Sequence, residues 1–233
     1  MTFKKFKITV LGCGTSVGVP SLGRLGWGKC DPNEKKNKRQ RCAILVQIND
    51  NNILIDAGPD IRNQLLPLGV TKIDGLLITH THSDHVAGLD DLRVFYWVKK
   101  EKIPIYASKK HLNEVKTRFP YLFEPDPESP SYFIPPFTPY EINHKTPLKI
   151  NDINIQILYQ SHGSSFSYGF VFEKHFGYST DLNDMPEKNF DYLHNIPLWI
   201  VESLREHPHQ SHAHYDLTFK WIKKVKPKKA ILT

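Results

Sequence analysis

Short apolar runs separated by polar turns set the rhythm of this chain. Phe6 to Leu11 reads as a strand that stops at the glycine-rich turn from Gly12 to Pro20. Ala43 to Ile48 and Asn52 to Asp56 are two more strands, and Asp50-Asn51 between them tolerates the positive φ of a tight hairpin. Pro59 to Leu68 begins as a helix, with proline near its first turn. Asp74 to Thr79 and Ile103 to Ala107 are predicted strands, and Ser108 caps a predicted helix running to Phe119. Ile153 to Tyr159 is another apolar strand, and a further strand leads into Tyr178-Ser179-Thr180-Asp181. Over His214 to Val225, Leu217, Trp221 and Val225 recur at i, i+4 and i+8, which marks one face of a helix. Lys229 to Thr233 closes as a buried strand. Alternating strands and helices without a repeat or linker predict an α/β chain, read as a single domain over residues 1–233.

The stretch from Pro120 to Tyr140 departs from this rhythm. It holds Pro120, Pro125, Pro127, Pro130, Pro135, Pro136 and Pro139, interleaved with Tyr121, Phe123, Tyr132, Phe133 and Phe137. Prolines at this density oppose a helix or a central strand. The expectation is a rigid loop packed on the surface, with a substrate lid or dimer contact as the sharper alternative.

The densest chemistry lies in Leu77-Ile78-Thr79-His80-Thr81-His82-Ser83-Asp84-His85. On an extended strand end, residues i and i+2 point the same way, so His80 and His82 can grip one cation together. Asp84 and His85 follow where the chain turns toward a helix, within reach of a second cation. Neutral imidazole suits zinc, iron, cobalt and nickel, and the carboxylate also admits manganese. A single surface histidine is usually just solvated; four ligand-type residues at H-x-H-x-D-H spacing are not explained that way.

This motif resembles the signature of the metallo-β-lactamase superfamily. The resemblance implies a four-layer αββα sandwich with one or two metals at an edge of its paired sheets. It implies that His162, in Ser161-His162-Gly163, joins His80 and His82 on the first metal. It also implies that Asp181 bridges to the second, beside Asp84 and His85. Taken alone, His162 would be a loop histidine and Asp181 a turn or cap residue. The implied cofactors are two divalent metal ions, zinc or manganese, with iron as a further option.

Composition narrows the setting. The chain has 233 residues and a formal charge of +7, which suits an anionic partner without separating nucleic acid from a small phosphate ester. Three cysteines, Cys13, Cys30 and Cys42, cannot form a closed disulfide framework. No leader segment and no apolar run near the ~20 residues of a membrane helix are recognisable, so the expected location is cytoplasmic and no membrane partner is expected.

The glycine-rich block Gly12 to Pro20, with the basic run Lys38-Arg39-Gln40-Arg41-Cys42, resembles a narrower group, the phosphoribosyl cyclic phosphodiesterases and their relatives. Guanidinium groups bind phosphate oxygens in a fork, so Arg39 or Arg41 could meet a substrate phosphate; a solvated charge run is the plainer reading. The group's cysteine cluster is missing: Leu22 to Cys30 holds one cysteine, which predicts no structural zinc. Near the C-terminus, Glu206 to His214 crowds four histidines. The resemblance points to His212 as general acid or base, a task suited to a pKa of ~6.5, against an ordinary histidine ahead of a helix. The family also places a histidine directly after a Leu-Thr pair, where this sequence stops at Leu232-Thr233; the expectation is that a final segment is missing.

Together the resemblances imply a dimetal phosphodiesterase cleaving a small cyclic or nucleotide-like phosphate ester. The expected attack is by a metal-bridging hydroxide oriented by Asp84, with His212 protonating the leaving oxygen. A homodimer is compatible with this picture. The alternatives are a ribonuclease Z-like tRNA 3′-processing nuclease, a thioester or lactam hydrolase, and a non-catalytic binding protein on the same fold.

Overall fold

The computed structural model describes residues 5–125, 128 and 133–233. They form two compact units, Met1–Glu141 and Ile142–Thr233. Each unit is built on a six-stranded sheet.

In the first unit the strands are β1 (Phe6–Gly12), β2 (Ala43–Ile48), β3 (Asn51–Ile55), β4 (Gly75–Leu77), β5 (Ile103–Ala107) and β6 (Phe137–Glu141), paired in that order. β1, β2 and β3 are antiparallel, whereas β3 to β6 are parallel. The hairpin turn falls one residue earlier than Asp50-Asn51 predicts. Asn49 takes the left-handed φ of 52°, and Asn51 already belongs to β3. The predicted strand Asp74 to Thr79 pairs regularly only over Gly75–Leu77, because the Thr79 N–H turns away to the Asp56 carboxylate at 2.8 Å.

Four helices pack with this sheet: α1 (Ile61–Leu65), α2 (Ser83–Val86), α3 (Arg93–Lys99) and α4 (Lys109–Arg118). The helix predicted over Pro59 to Leu68 splits into α1 and a 3₁₀ turn over Leu66–Leu68 that carries Pro67, since proline cannot donate within an α-helix. Ser108 caps α4 as expected, accepting the His111 N–H at 3.1 Å. Leu54, Leu76, Ile78, Ile105, Leu112, Val115 and Phe137 share one buried core.

The proline-rich stretch is more regular than its composition suggests. Pro120–Leu122 forms a 3₁₀ turn, and Phe137–Glu141 forms β6. β6 ends the sheet order, and an edge strand tolerates Pro139 because one side needs no ladder bonds. Leu122, Phe123 and Phe137 are buried in the core, and the Tyr121 hydroxyl donates to Asp90 at 3.0 Å. Pro127, Pro130 and Tyr132 lie outside the described residues.

The second unit contains β7 (Leu148–Ile150), β8 (Ile153–His162), β9 (Ser165–Phe172), β10 (Phe176–Ser179), β11 (Leu198–Val201) and β12 (Lys229–Leu232). β7 to β10 are antiparallel neighbours, and β11 and β12 continue from β10 in parallel. Helices α5 (Lys188–Leu193) and α6 (Tyr215–Val225) accompany them. Trp221 and Val225 of α6 are buried with Trp199, Leu193 and Leu158, while Leu217 packs against that cluster.

These pairings place chemistry at strand ends. β8 and β10 are both antiparallel to β9, so they run in one direction, shared by β11 and β12. The carboxyl end of β8 carries His162; Asp181 follows β10 and Glu202 follows β11. In the first unit Asp56 follows β3 and the segment His80 to His85 follows β4, its parallel neighbour. Carboxyl ends of parallel strands are where open α/β sheets expose groups for ligands.

Candidate metal centre

The first unit brings the imidazoles of the H-x-H-x-D-H segment close together. The His80 and His82 ring centroids are 4.5 Å apart, and those of His80 and His85 are 4.3 Å apart. Asp84 opens α2, with one carboxylate oxygen 3.4 Å from His85 Nε2. His80 and His85 are buried, Asp84 is half-buried and His82 is exposed.

One fully buried carboxylate, Asp56, sets the proton positions of two of these imidazoles. Asp56 Oδ2 accepts from the Thr79 hydroxyl at 2.8 Å and from His85 Nδ1 at 2.7 Å. With its proton given to Asp56, the Thr79 oxygen can only accept from His80 Nδ1, 3.0 Å away. Both rings therefore carry their proton on Nδ1, which makes Nε2 the nitrogen with a lone pair. Burial pushes the Asp56 carboxyl above its ordinary range, while His85 and Thr79 draw it back. Asp56 sits at φ 63°, in the left-handed region that aspartate tolerates better than most residues.

Tight backbone packing fixes this arrangement. The Ala57 N–H donates to the His85 carbonyl at 2.8 Å, and the Gly88 N–H donates to the Ala57 carbonyl at 2.9 Å. A Cβ on Gly58 would lie 1.9 Å from the Asp84 carbonyl oxygen, and one on Gly88 would lie 2.0 Å from that of Gly58. Only glycine fits at either position.

In the second unit, one ligand atom from each of His162, Asp181 and His212 lies within 4.8 Å of the others. His162 Nδ1 donates to the Ser211 carbonyl at 2.7 Å, which puts the ring's lone pair on Nε2. Asp181 adopts φ 50°. Buried Ser167 donates to its carbonyl at 2.8 Å, and Gln160 donates to the Thr180 carbonyl at 3.1 Å.

His212 is held by Glu202, which is buried. His212 Nδ1 lies 2.5 Å from Glu202 Oε1 and 3.8 Å from Asp181 Oδ1. The other Glu202 oxygen accepts the Leu182 N–H at 2.6 Å. Burial pushes the Glu202 carboxyl up to about 7; the His212 hydrogen bond opposes this and the Asp181 charge adds to it. Burial alone would lower His212, but its bond to Glu202 and the two nearby carboxylates outweigh that and raise it.

The basic run is engaged within its own block. The Arg41 guanidinium pairs with Asp60 at 2.9 Å and donates to the Ser16 carbonyl at 3.1 Å. Arg39 Nη1 lies 2.8 Å from Cys13 Sγ. The structure thus gives Arg41 a structural partner and leaves Arg39 at an exposed cleft lined by Cys13, Lys36 and Lys38. Cys13, Cys30 and Cys42 are not joined in disulfides.

Asp56, Thr79 and Glu202 were not singled out by motif spacing. Their one signal in the sequence is position: Asp56 and Glu202 each end an apolar strand with a carboxylate. The imidazole and carboxylate donors of each unit suit a divalent cation.

The chain belongs to the beta-lactamase superfamily domain family, whose model matches residues 51–233, and its fold is that of a metallo-β-lactamase protein. A crystal structure described as a new diphosphatase from the PhnP family is 29% identical, with a TM-score of 0.85 over 98% of this chain and 85% of that one. An octanoyltransferase from Porphyromonas gingivalis is 33% identical over 212 residues, 87% of this chain and 41% of that protein. A ribonuclease Z from Staphylococcus epidermidis is 29% identical over 162 residues, 66% of this chain and 46% of that protein. The chain spans less than half the length of these two curated relatives.

Proposed function

We propose that this chain is a metal-dependent phosphodiesterase acting on a small cyclic or nucleotide-like phosphate ester. The observation that carries the reading is the Glu202–His212 pair beside His162 and Asp181. A histidine fixed through Nδ1 by a buried carboxylate offers Nε2 as an acid to a departing oxygen, the need of phosphoester cleavage. The likeness to the PhnP-family diphosphatase supports hydrolysis at phosphorus.

In this reading His80, His82, Asp84, His85, His162 and Asp181 would hold divalent cations. When bound, such ions lower the pKa of coordinated water and offset charge on phosphoryl oxygens. Asp84 orients the attacking water by accepting its hydrogen bond. His212 Nε2 gives its proton to the leaving sugar oxygen, and Glu202 stabilises the imidazolium before transfer. Asp56 keeps His80 and His85 in the ligating tautomer throughout.

The test is metal content by elemental analysis, with hydrolysis of bis(p-nitrophenyl) phosphate followed in the same sample. About two metals per chain, with turnover abolished by His80→Ala and Asp181→Ala, is the expected result. No bound metal and no turnover after zinc or manganese is restored overturns the reading and favours a binding protein. Similarity to ribonuclease Z and the +7 charge favour tRNA processing as the second reading; cleavage of a tRNA precursor in preference to cyclic ribose phosphates would select it. Among the described residues no helix is long and apolar enough to cross a membrane.

A further inference from the structure

Thr81, the residue between His80 and His82, is buried and gripped by α4 at two atoms. Its hydroxyl donates to the Glu114 carboxylate, and its carbonyl oxygen accepts from the Arg118 guanidinium. His111, Glu114 and Arg118 follow at i, i+3 and i+7, which puts them on one face of α4. His111 is buried on that face and close enough to His82 for their charges to interact.

The need for such a grip follows from the backbone. Regular pairing of β4 stops at Leu77, and Ile78 adds one more bond, to the Tyr106 carbonyl at 3.0 Å. Beyond it, the Thr79 N–H is taken by Asp56, and the His82 carbonyl accepts the His85 N–H at 3.0 Å. Thr81 lies at the middle of the span those bonds leave. A rotation of its peptide planes would swing His80 and His82 apart, since each is joined directly to Thr81. Asp56 fixes the His80 ring from the β3 side, and α4 fixes the connecting peptide from the other end of the motif.

We infer that Glu114 and Arg118 are positioning residues that hold Thr81 so that His80 and His82 converge on one cation. This inference rests on the metal-binding reading above and assigns neither residue a contact with the ion. Groups that orient ligands in this way typically alter metal affinity by about 10–100-fold when removed.

The experiment compares zinc affinity, by competition with a chromophoric chelator, with thermal unfolding of the metal-free protein. Arg118→Met keeps the side-chain stem and loses the donor; Thr81→Val keeps the shape and loses the hydroxyl. Both are expected to weaken zinc binding by about 10–100-fold, while Thr81→Ser, which retains the hydroxyl, binds close to wild type. The Thr81 pair alone decides the matter if Arg118→Met fails to fold. Unchanged zinc affinity in Thr81→Val and Arg118→Met, with only a lowered unfolding temperature, would show that α4 merely supports the fold and would overturn the inference. Wild-type protein that binds no zinc or manganese would instead sink the metal reading itself, and the inference with it.

Discussion

Gly58→Ala tests the geometry of the proposed metal centre without altering any of the proposed ligands. The added Cβ would sit 1.9 Å from the Asp84 carbonyl oxygen, where real Cβ atoms essentially never come within 3.0 Å. The obstacle is backbone, so no side chain can swing aside. Segments 57–58 and 84–88 must part by about an ångström, and the displaced residues include Asp84 and His85. Parting also stretches the Ala57-to-His85 and Gly88-to-Ala57 hydrogen bonds. Overpacking of this kind costs about 1–3 kcal/mol, and for a chain of this size each kcal/mol lowers the unfolding temperature by roughly 2–4 °C. The expected outcome for metal-free protein is a loss of roughly 2–12 °C. The same variant should bind zinc about 10–100-fold more weakly, because its ligands are displaced as if their supports were lost. Differential scanning calorimetry and a chelator competition on one preparation measure both. A variant with wild-type unfolding temperature and wild-type zinc affinity would refute the reasoning, since the packing would then be far looser than described.

Three further outcomes are expected. Asp56→Asn places an amide donor against Thr79 and His85, so His85 must move its proton to Nε2 and cease to ligate; chelator competition should show zinc affinity down by about 10–100-fold, with the fold losing about 1–3 kcal/mol to the broken buried network. Glu202 and His212 both have folded pKa values above their unfolded ones, so the stability each contributes to metal-free protein is lost as pH rises, from about 4.5 through 7 for Glu202 and above 6.5 for His212, while buried His111, lowered to about 4, acts in the opposite sense below 6.5. Unfolding temperatures across that range should fall less steeply with pH in Glu202→Gln, and an unchanged slope would count against the pairing. Zinc at 100 times its dissociation constant should stabilise the protein by about 2.7 kcal/mol, an increase in unfolding temperature that His162→Ala should reduce and ethylenediaminetetraacetate should abolish.

Local sequence carried the H-x-H-x-D-H centre because its spacing is set by one strand end and one helical turn. Ser108 was legible as a cap and His214 to Val225 as a helix for the same reason: their partners lie a few residues away. β6 was hidden, since a strand containing Pro139 is acceptable only at a sheet edge, and edge position is a property of the whole pairing order. Asp56 reaches His85 across 29 positions, and Glu202 reaches His212 across 10. Neither separation is fixed by helix or strand periodicity. His162 and Asp181 entered through family resemblance, and the antiparallel β8–β9–β10 run explains their convergence: two chain reversals bring both to the same sheet edge. The Arg41–Asp60 pair spans 19 positions and is likewise not written in any local spacing.

The left-handed backbone at Asp56 and Asp181 has an evolutionary consequence. Most side chains at φ near 50–60° cost roughly 1–2 kcal/mol, so drift at these two positions is channelled toward asparagine and glycine, the residues that keep the backbone without strain. Both replacements remove the carboxylate while leaving the chain path intact. Silent, folded descendants of this protein should therefore be reached most readily through Asp181, whose carbonyl is anchored by Ser167 whatever side chain it bears. Asp56 is a costlier route, because its carboxylate also satisfies Thr79. In a set of related sequences, replacement of Asp181 by asparagine or glycine should therefore be commoner than replacement of Asp56.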